Sequence, residues 1–167
     1  NEINPYYGAP QSIYSDHFQW ESVSGPVGYK LELPPLHPGL TSVLLMEHGE
    51  SHFDDIRHLP NLSAMIALLR DGFSDDSEGG AIELASDGSA IVNYSINDYL
   101  WEGVKRAHLT MSQLQFAAGA KAVKPAHVDA EFETSWETSK AAINKLSYTA
   151  SRALVGKCTR NGWDAHG

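Results

Sequence analysis

The fold is decided by the stretch Gly79–Ala120, GGAIELASDGSAIVNYSINDYLWEGVKRAHLTMSQLQFAAGA, near the middle of this 167-residue chain. Its first half contains two short β-prone runs, Ala81–Ala85 and Ala90–Ile96, on either side of Asp87-Gly88. A two-residue type I′ turn needs positive φ angles, which the Asp-Gly pair adopts at low cost. We therefore expect a β-hairpin here.

The second half of the stretch predicts a long helix. Asn97 or Asp98 can cap its N-terminus through a side-chain oxygen, and Gly119 can end it by taking the left-handed conformation. Apolar residues recur at helical spacing, so one buried stripe is expected along Leu100, Val104, Ala107, Met111, Leu114 and Ala118. The chain is then expected to leave this helix as a strand over 120–123.

Shorter elements are expected on both sides of this stretch. Upstream, the residues predict strands over 11–20 and 28–33, a proline-rich loop over 34–39 and short helices over 41–48 and 50–58. The apolar run 62–70 fits a buried strand or a short helix, and the acidic run 71–80 fits a loop. A terminal helix is predicted over 134–148, with Thr134 as N-cap and Glu137 as its capping-box partner.

Composition limits the functional classes. With 42% hydrophobic residues, the chain suits one globular domain over residues 1–167. The net charge of −9, from 21 acidic and 12 basic residues, argues against nucleic acid or anionic lipid as the main partner. No apolar run approaches the roughly 20 residues of a membrane span. The single Cys158 favours a cytoplasmic location, with the periplasm as the alternative.

Neither a metal site nor nucleophilic catalysis is favoured by the motifs. His48 and His52 are four residues apart, with Asp54 and Asp55 nearby, but the glutamate of a HExxH site is missing. A metal-assisted hydrolase using these residues is a third hypothesis. There is no G-x-S-x-G elbow, Walker loop or G-x-G-x-x-G loop, so dinucleotide binding of the usual kind is not expected.

Two further histidines can serve structure or function. His108 lies beside the apolar stripe of the long helix, where a hydrogen-bonded structural role is expected, and His17 can face the core or a pocket. His127 follows Pro125 and is expected in a loop.

The order of elements resembles the substrate-binding domain of the glucose-methanol-choline (GMC) flavoenzymes, in which a hairpin with an Asp-Gly turn precedes a long helix that closes on Ala-Ala-Gly-Ala. The matching residues are Asp87-Gly88, Tyr94, Asp98 and Ala117–Ala120. Upstream, the likeness runs through Asn4-Pro5 and the segments 14–18, 28–32 and 68–72, so it covers about residues 1 to 127. It favours a strand over 62–70.

This resemblance implies an α+β fold, an antiparallel β-sheet with helices packed on one face. It also implies FAD in the full-length enzyme, but none in this chain, because the family's glycine loop is missing. The family's base is the histidine of a His-x-x-Gly-x-Cys segment; Gly156-Lys157-Cys158 fits, whereas Ala153 occupies the histidine position. We therefore expect no catalytic residue, and an atypical tail over 150–167.

The expected partners are then the FAD-binding domain of the same polypeptide and a small alcohol. The opening Asn1–Pro5 reads like the interior of a longer protein, although a processed or tagged protein can begin the same way. Substrate-binding candidates on the expected sheet are Tyr14, Asp16, His17, Met65, Asn93 and Tyr94.

Two hypotheses of different classes follow. The first is the substrate-binding, or cap, domain of an FAD-dependent alcohol dehydrogenase or oxidase, inactive alone and self-associating through an exposed apolar face. The second is a stand-alone α+β module that binds a small ligand or a protein.

Overall fold

The computed structural model describes residues 13–20, 25–149, 152–159 and 162–166, and for the last two strands only the backbone. Its elements are β1 (Tyr14–Ser15), β2 (Gly28–Glu32), α1 (Pro38–Leu44), α2 (Gly49–Arg57), a 3₁₀ turn (Leu59–Asn61), β3 (Ile66–Arg70), β4 (Gly80–Leu84), β5 (Ala90–Tyr94), α3 (Asp98–Ala117), α4 (Trp136–Lys145), β6 (Leu154–Thr159) and β7 (Gly162–His166). Every strand pair in these residues is antiparallel. The predicted α+β class is confirmed.

The core lies between a three-stranded sheet and α3. The sheet has the order β1-β2-β3, and Tyr29 and Leu31 on β2 stand opposite Leu69 and Ala67 on β3. Successive strand residues point to opposite faces, so these four side chains share one face. Tyr29 and Leu31 are almost fully buried there against Ala107 of α3. One face of the sheet is thus closed by the long helix.

The ends of α3 lie where the sequence predicts them. The Asn97 side chain accepts a hydrogen bond from the Leu100 backbone N–H at 3.2 Å, which caps the first turn. The helix stops just before Gly119, whose φ of 94° is left-handed.

The predicted apolar stripe is wrong at its C-terminal end. Leu114 is 42% exposed and Ala118 is exposed, whereas Ser112 is buried. The reason is α4, which packs against α3 and brings the Ser139 hydroxyl within 3.3 Å of the Ser112 hydroxyl. The strand expected over 120–123 is reduced to one bridge between Val123 and Glu133.

The predicted hairpin is present, but its turn is longer than expected. The last strand pair is Leu84 with Ala90, and the Gly88 N–H donates to the Ala85 carbonyl at 2.9 Å. Because Gly88 has a φ of 80° and Ala85 pairs with Ser89, three residues form the loop. This is a turn followed by a left-handed residue and not the two-residue type I′ turn.

Strand β1 is also shorter than predicted. Within the predicted run 11–20 only Tyr14 and Ser15 are strand, and the Gln19 N–H donates to the Asp16 carbonyl in a turn; residues 11 and 12 lie outside the described residues, as does Asn4-Pro5. Strand β3, in turn, begins only at Ile66.

Two helix starts differ from the predictions as well. Helix α1 begins inside the predicted proline loop, because Pro38 suits a first helical turn that needs no N–H and His37 caps it. Helix α4 is capped by Ser135 and not by Thr134.

Among the described residues, no helix combines the length and the apolar character needed to cross a membrane.

Candidate functional site

The face of the β1-β2-β3 sheet that points away from α3 is called the open face here. Tyr14, Lys30, Ile66 and Leu68 lie on it, because they alternate along the strands with residues that face α3. Tyr14, Ile66 and Leu68 are 60%, 39% and 47% exposed. This side of the sheet therefore exposes apolar side chains to solvent, next to the charged Lys30, Glu32 and Arg70.

The charges of the open face are paired within it. The Lys30 ammonium lies 2.6 Å from a Glu32 carboxylate oxygen and 4.4 Å from the centre of the Tyr14 ring. At the other end, the Arg70 guanidinium lies between the Trp20 and Phe73 rings, at 4.8 and 4.6 Å. Cations attract the faces of aromatic rings, so Tyr14, Trp20 and Phe73 each pack against a cationic side chain of the open face.

The six predicted substrate-binding residues lie on several surfaces. Tyr14 is on the open face; Asp16 and His17 lie in the exposed turn after β1. Met65 packs with the core on the α3 side, and Asn93 is exposed on β5, in the separate hairpin sheet. Sequence reasoning could not place these residues because the face of a strand residue depends on register.

Tyr94, the sixth of these residues, anchors the hairpin to the loop after β3. Its hydroxyl donates to one Asp71 carboxylate oxygen, and the Ser77 hydroxyl donates to the other at 2.5 Å. Burial acts to raise the pKa of Asp71, but hydrogen bonds from Ser77, Tyr94 and the Gly72 N–H outweigh it and lower that pKa. Burial and the Asp71 carboxylate raise the pKa of Tyr94 well above its usual range. This tyrosine is committed to a structural contact.

The histidine predicted to be structural, His108, is hydrogen-bonded and buried. Its Nδ1 lies 3.0 Å from the Tyr148 hydroxyl. Ala153, which the resemblance described above would align with the flavoenzyme base, is 2% exposed and packs against Trp101 and Val104. This position therefore belongs to the hydrophobic core and offers no group for proton transfer.

The spacing of His48 and His52 produces no metal centre. His48 is the residue before α2, and the Nε2 atom of His52 is 2.9 Å from the Ser42 hydroxyl. Asp55 faces Lys124, whose ammonium lies 3.6 Å from it. In the parts of the chain that the structure describes, no three His, Cys, Asp or Glu side chains are grouped to hold an ion.

A cleft of about 740 Å³ lies beside the N-terminus of α3. Its lining includes Val27, Tyr99 and four carboxylates, those of Asp76, Glu78, Asp98 and Glu102. In the sequence, the carboxylates of this cleft are visible as the acidic run 71–80 followed by Asp98. That residues 25–27 approach this run depends on tertiary packing, which the sequence does not show.

The described residues do not fit FAD. Dinucleotides bind where a parallel strand leads through a glycine loop into a helix N-terminus. The sheets of the described ranges are all antiparallel, and the sequence has no G-x-G-x-x-G loop. Flavin phosphates would have no cradle among these residues.

No protein family, curated protein or solved structure matches this chain in the comparisons.

Proposed function

We propose that this chain is the substrate-binding domain of an FAD-dependent oxidoreductase that acts on CH–OH groups, similar to choline dehydrogenases and alcohol oxidases of the GMC family. The flavin would be held by another part of the same polypeptide. The chain itself would supply shape and exclude water, and it would not be catalytic alone.

The observation that carries this proposal is the open face. A sheet that packs a helix on one side usually exposes polar residues on the other. Here the second side exposes Tyr14, Ile66 and Leu68, with Trp20 and Phe73 stacked around Arg70 at its end. Such aromatic and aliphatic surface suits a roof over a planar cofactor and a small organic substrate, where water must be excluded.

The order of the elements is consistent with the proposal. The hairpin β4–β5 precedes α3, and α3 ends next to a left-handed Gly119, in the order expected from the resemblance. Hairpins and glycine-ended helices are each common on their own. It is therefore their succession, together with the open face, that supports the proposal.

The proposal assigns the chemistry to residues outside this chain. Hydride transfer requires the flavin, and the position of the family's base is occupied by the buried Ala153. On this proposal the substrate is a small alcohol and the location is cytoplasmic, since Cys158 has no second cysteine in the chain to pair with.

Sequencing the transcript on both sides of the region that encodes residues 1–167 tests the proposal. We expect an in-frame upstream segment that encodes a strand, a G-x-G-x-x-G loop and a helix, followed by this chain. A downstream or frame-restored His-x-x-Gly-x-Cys would complete the assignment. A start codon directly before Asn1 and a genuine stop codon after Gly167, with no flavin-binding part, would contradict it.

The second candidate is a stand-alone module that binds a small ligand. The cleft beside α3 favours it, because its volume of about 740 Å³ is in the range of ligand sites. This module would be monomeric, whereas a domain separated from its flavin part would self-associate through the open face.

A further inference from the structure

We propose that His108, Tyr148 and His127 form an acid-sensitive latch, which fastens the segment after α4 to the body of the domain and releases it when His108 is protonated. The segment consists of residues 146–149 and 152–153. This inference is independent of the proposed function.

The latch is built around one tyrosine. The Tyr148 hydroxyl lies 3.0 Å from Nδ1 of His108 on α3, and its ring lies 5.6 Å from the His108 ring and 5.4 Å from that of His127. His127 comes from the loop between α3 and α4 and is 1% exposed, and His108 is 7% exposed. Tyr148 is thus held between imidazoles from two different elements.

The hydrogen bonds of His127 require a neutral ring. Its Nδ1 accepts from the Asp129 backbone N–H at 3.1 Å, and its Nε2 donates to the Ser147 carbonyl at 3.0 Å. A second proton on the ring would occupy Nδ1 and oppose the Asp129 N–H. Protonation therefore breaks the arrangement that ties the segment to this loop.

Protonation of His108 is unfavourable for a different reason, namely the burial of its ring. Burial, and to a smaller extent the nearby His127, lower its pKa from 6.5 to about 4. When the segment is released, the His108 imidazole on α3 becomes hydrated and returns to its ordinary pKa, so the released state binds more protons below pH 6.5. The latch is fully effective above that pH and weakens as the pH falls from 6.5 towards 4.

The charged groups near His108 and His127 do not account for this loss of stability at low pH. Glu102 on α3 faces Tyr148 and, with burial as the larger cause, raises the pKa of that hydroxyl, so Tyr148 remains a neutral donor. Asp129 lies 3.9 Å from His127, but its carboxylate already binds Arg152 at 2.8 and 2.6 Å and is half exposed.

The consequence of release is exposure of the core next to Trp101. The segment holds Ala153 against Trp101 and Val104, and the Val128 N–H donates to the Arg152 carbonyl at 2.8 Å. When Tyr148 leaves, the exposed Asp129–Arg152 ion pair and the backbone bridge between His127 and Ala153 are the contacts of the described residues that still hold this segment. Position 153 therefore reports the state of the latch.

The test is thiol labelling at position 153. In a chain with Ala153→Cys and Cys158→Ser, the rate with dithiodipyridine, divided by that of a free thiol at the same pH, is measured from about pH 7.5 to about pH 5. From the titration of His108 alone, we expect the normalised rate to rise about thirtyfold. Far-ultraviolet circular dichroism should keep its helical signal over this range.

The controls separate a latch from general unfolding. His108→Gln should remove most of the rise, and His127→Gln part of it, while His48→Gln, at an exposed position, should leave it unchanged. If a glutamine variant does not fold, the corresponding asparagine variant is used, and the His48→Gln comparison stands in either case. A constant normalised rate, or the same rise in the His108→Gln, His127→Gln double variant, overturns the proposal. Loss of the helical signal at the same pH also overturns it.

Discussion

At Gly103, α3 approaches the body of the domain so closely that a side chain would have no room. A Cβ atom built there would lie 1.9 Å from Cγ1 of Val27 and 3.0 Å from Cδ2 of Leu69. A glycine inside a helix costs about 1 kcal/mol relative to alanine, so its presence in α3 needs a reason. The close packing of the sheet under the helix supplies that reason.

Gly103→Ala is therefore expected to destabilise the protein, although the same change stabilises most helices. A 1.9 Å approach lies at the severe end of overpacking, which costs up to about 3 kcal/mol, and the helix gains about 1, so we expect a net loss of up to about 2 kcal/mol in the free energy of unfolding. Urea denaturation measures it.

Val27→Ala provides the matched control, because it removes the methyl groups that the new Cβ would meet. The double variant should be more stable than the sum of the two single changes implies. A stabilising Gly103→Ala would contradict the packing described here.

At the scale of the element, the start of α4 shows how precisely the sequence predicts the end of a helix. The sequence predicts a helix here with Thr134 as its cap, and the structure has the helix but uses Ser135, whose hydroxyl accepts from the Thr138 N–H at 3.2 Å. Thr and Ser are both good caps, and only the position of the helix relative to α3 chooses between them.

Ser135→Ala is expected to lower the free energy of unfolding by about 1 kcal/mol, because the Thr138 N–H loses its acceptor. Thr134→Ala, one residue away at an exposed position, should change it by less than about 0.5 kcal/mol. Thermal or urea unfolding of both variants makes the comparison. A larger loss of stability for Thr134→Ala than for Ser135→Ala would instead show that Thr134 is the N-cap, as the sequence predicts.

Local patterns predicted the elements well and their faces poorly. The hairpin, α3 with its Asn97 cap and its glycine stop follow from residues close in sequence. The burial of Ser112 in place of Leu114, and the position of Met65 in the core, depend on α4 and on strand register. The cleft beside α3 and the half-buried Tyr148 join segments far apart in the chain, and no local pattern encodes such contacts.

At the scale of the whole molecule, the open face and the closed face of the sheet divide the domain into two roles. Tyr29 and Leu31 fasten the sheet to α3, whereas Tyr14, Ile66 and Leu68 remain exposed on the opposite side. Exposed apolar surface of this kind is typical of a place where another domain packs. The proposed function rests on this difference between the two faces of the sheet.

Sedimentation velocity of the purified chain over a range of concentrations tests this central claim most directly. We expect reversible self-association that Leu68→Gln weakens roughly tenfold, because one apolar side chain per copy leaves the interface. Leu114→Gln, at a position of similar exposure on α3, should leave the association unchanged. A chain that stays monomeric at all concentrations, or one that both substitutions weaken equally, would contradict the account.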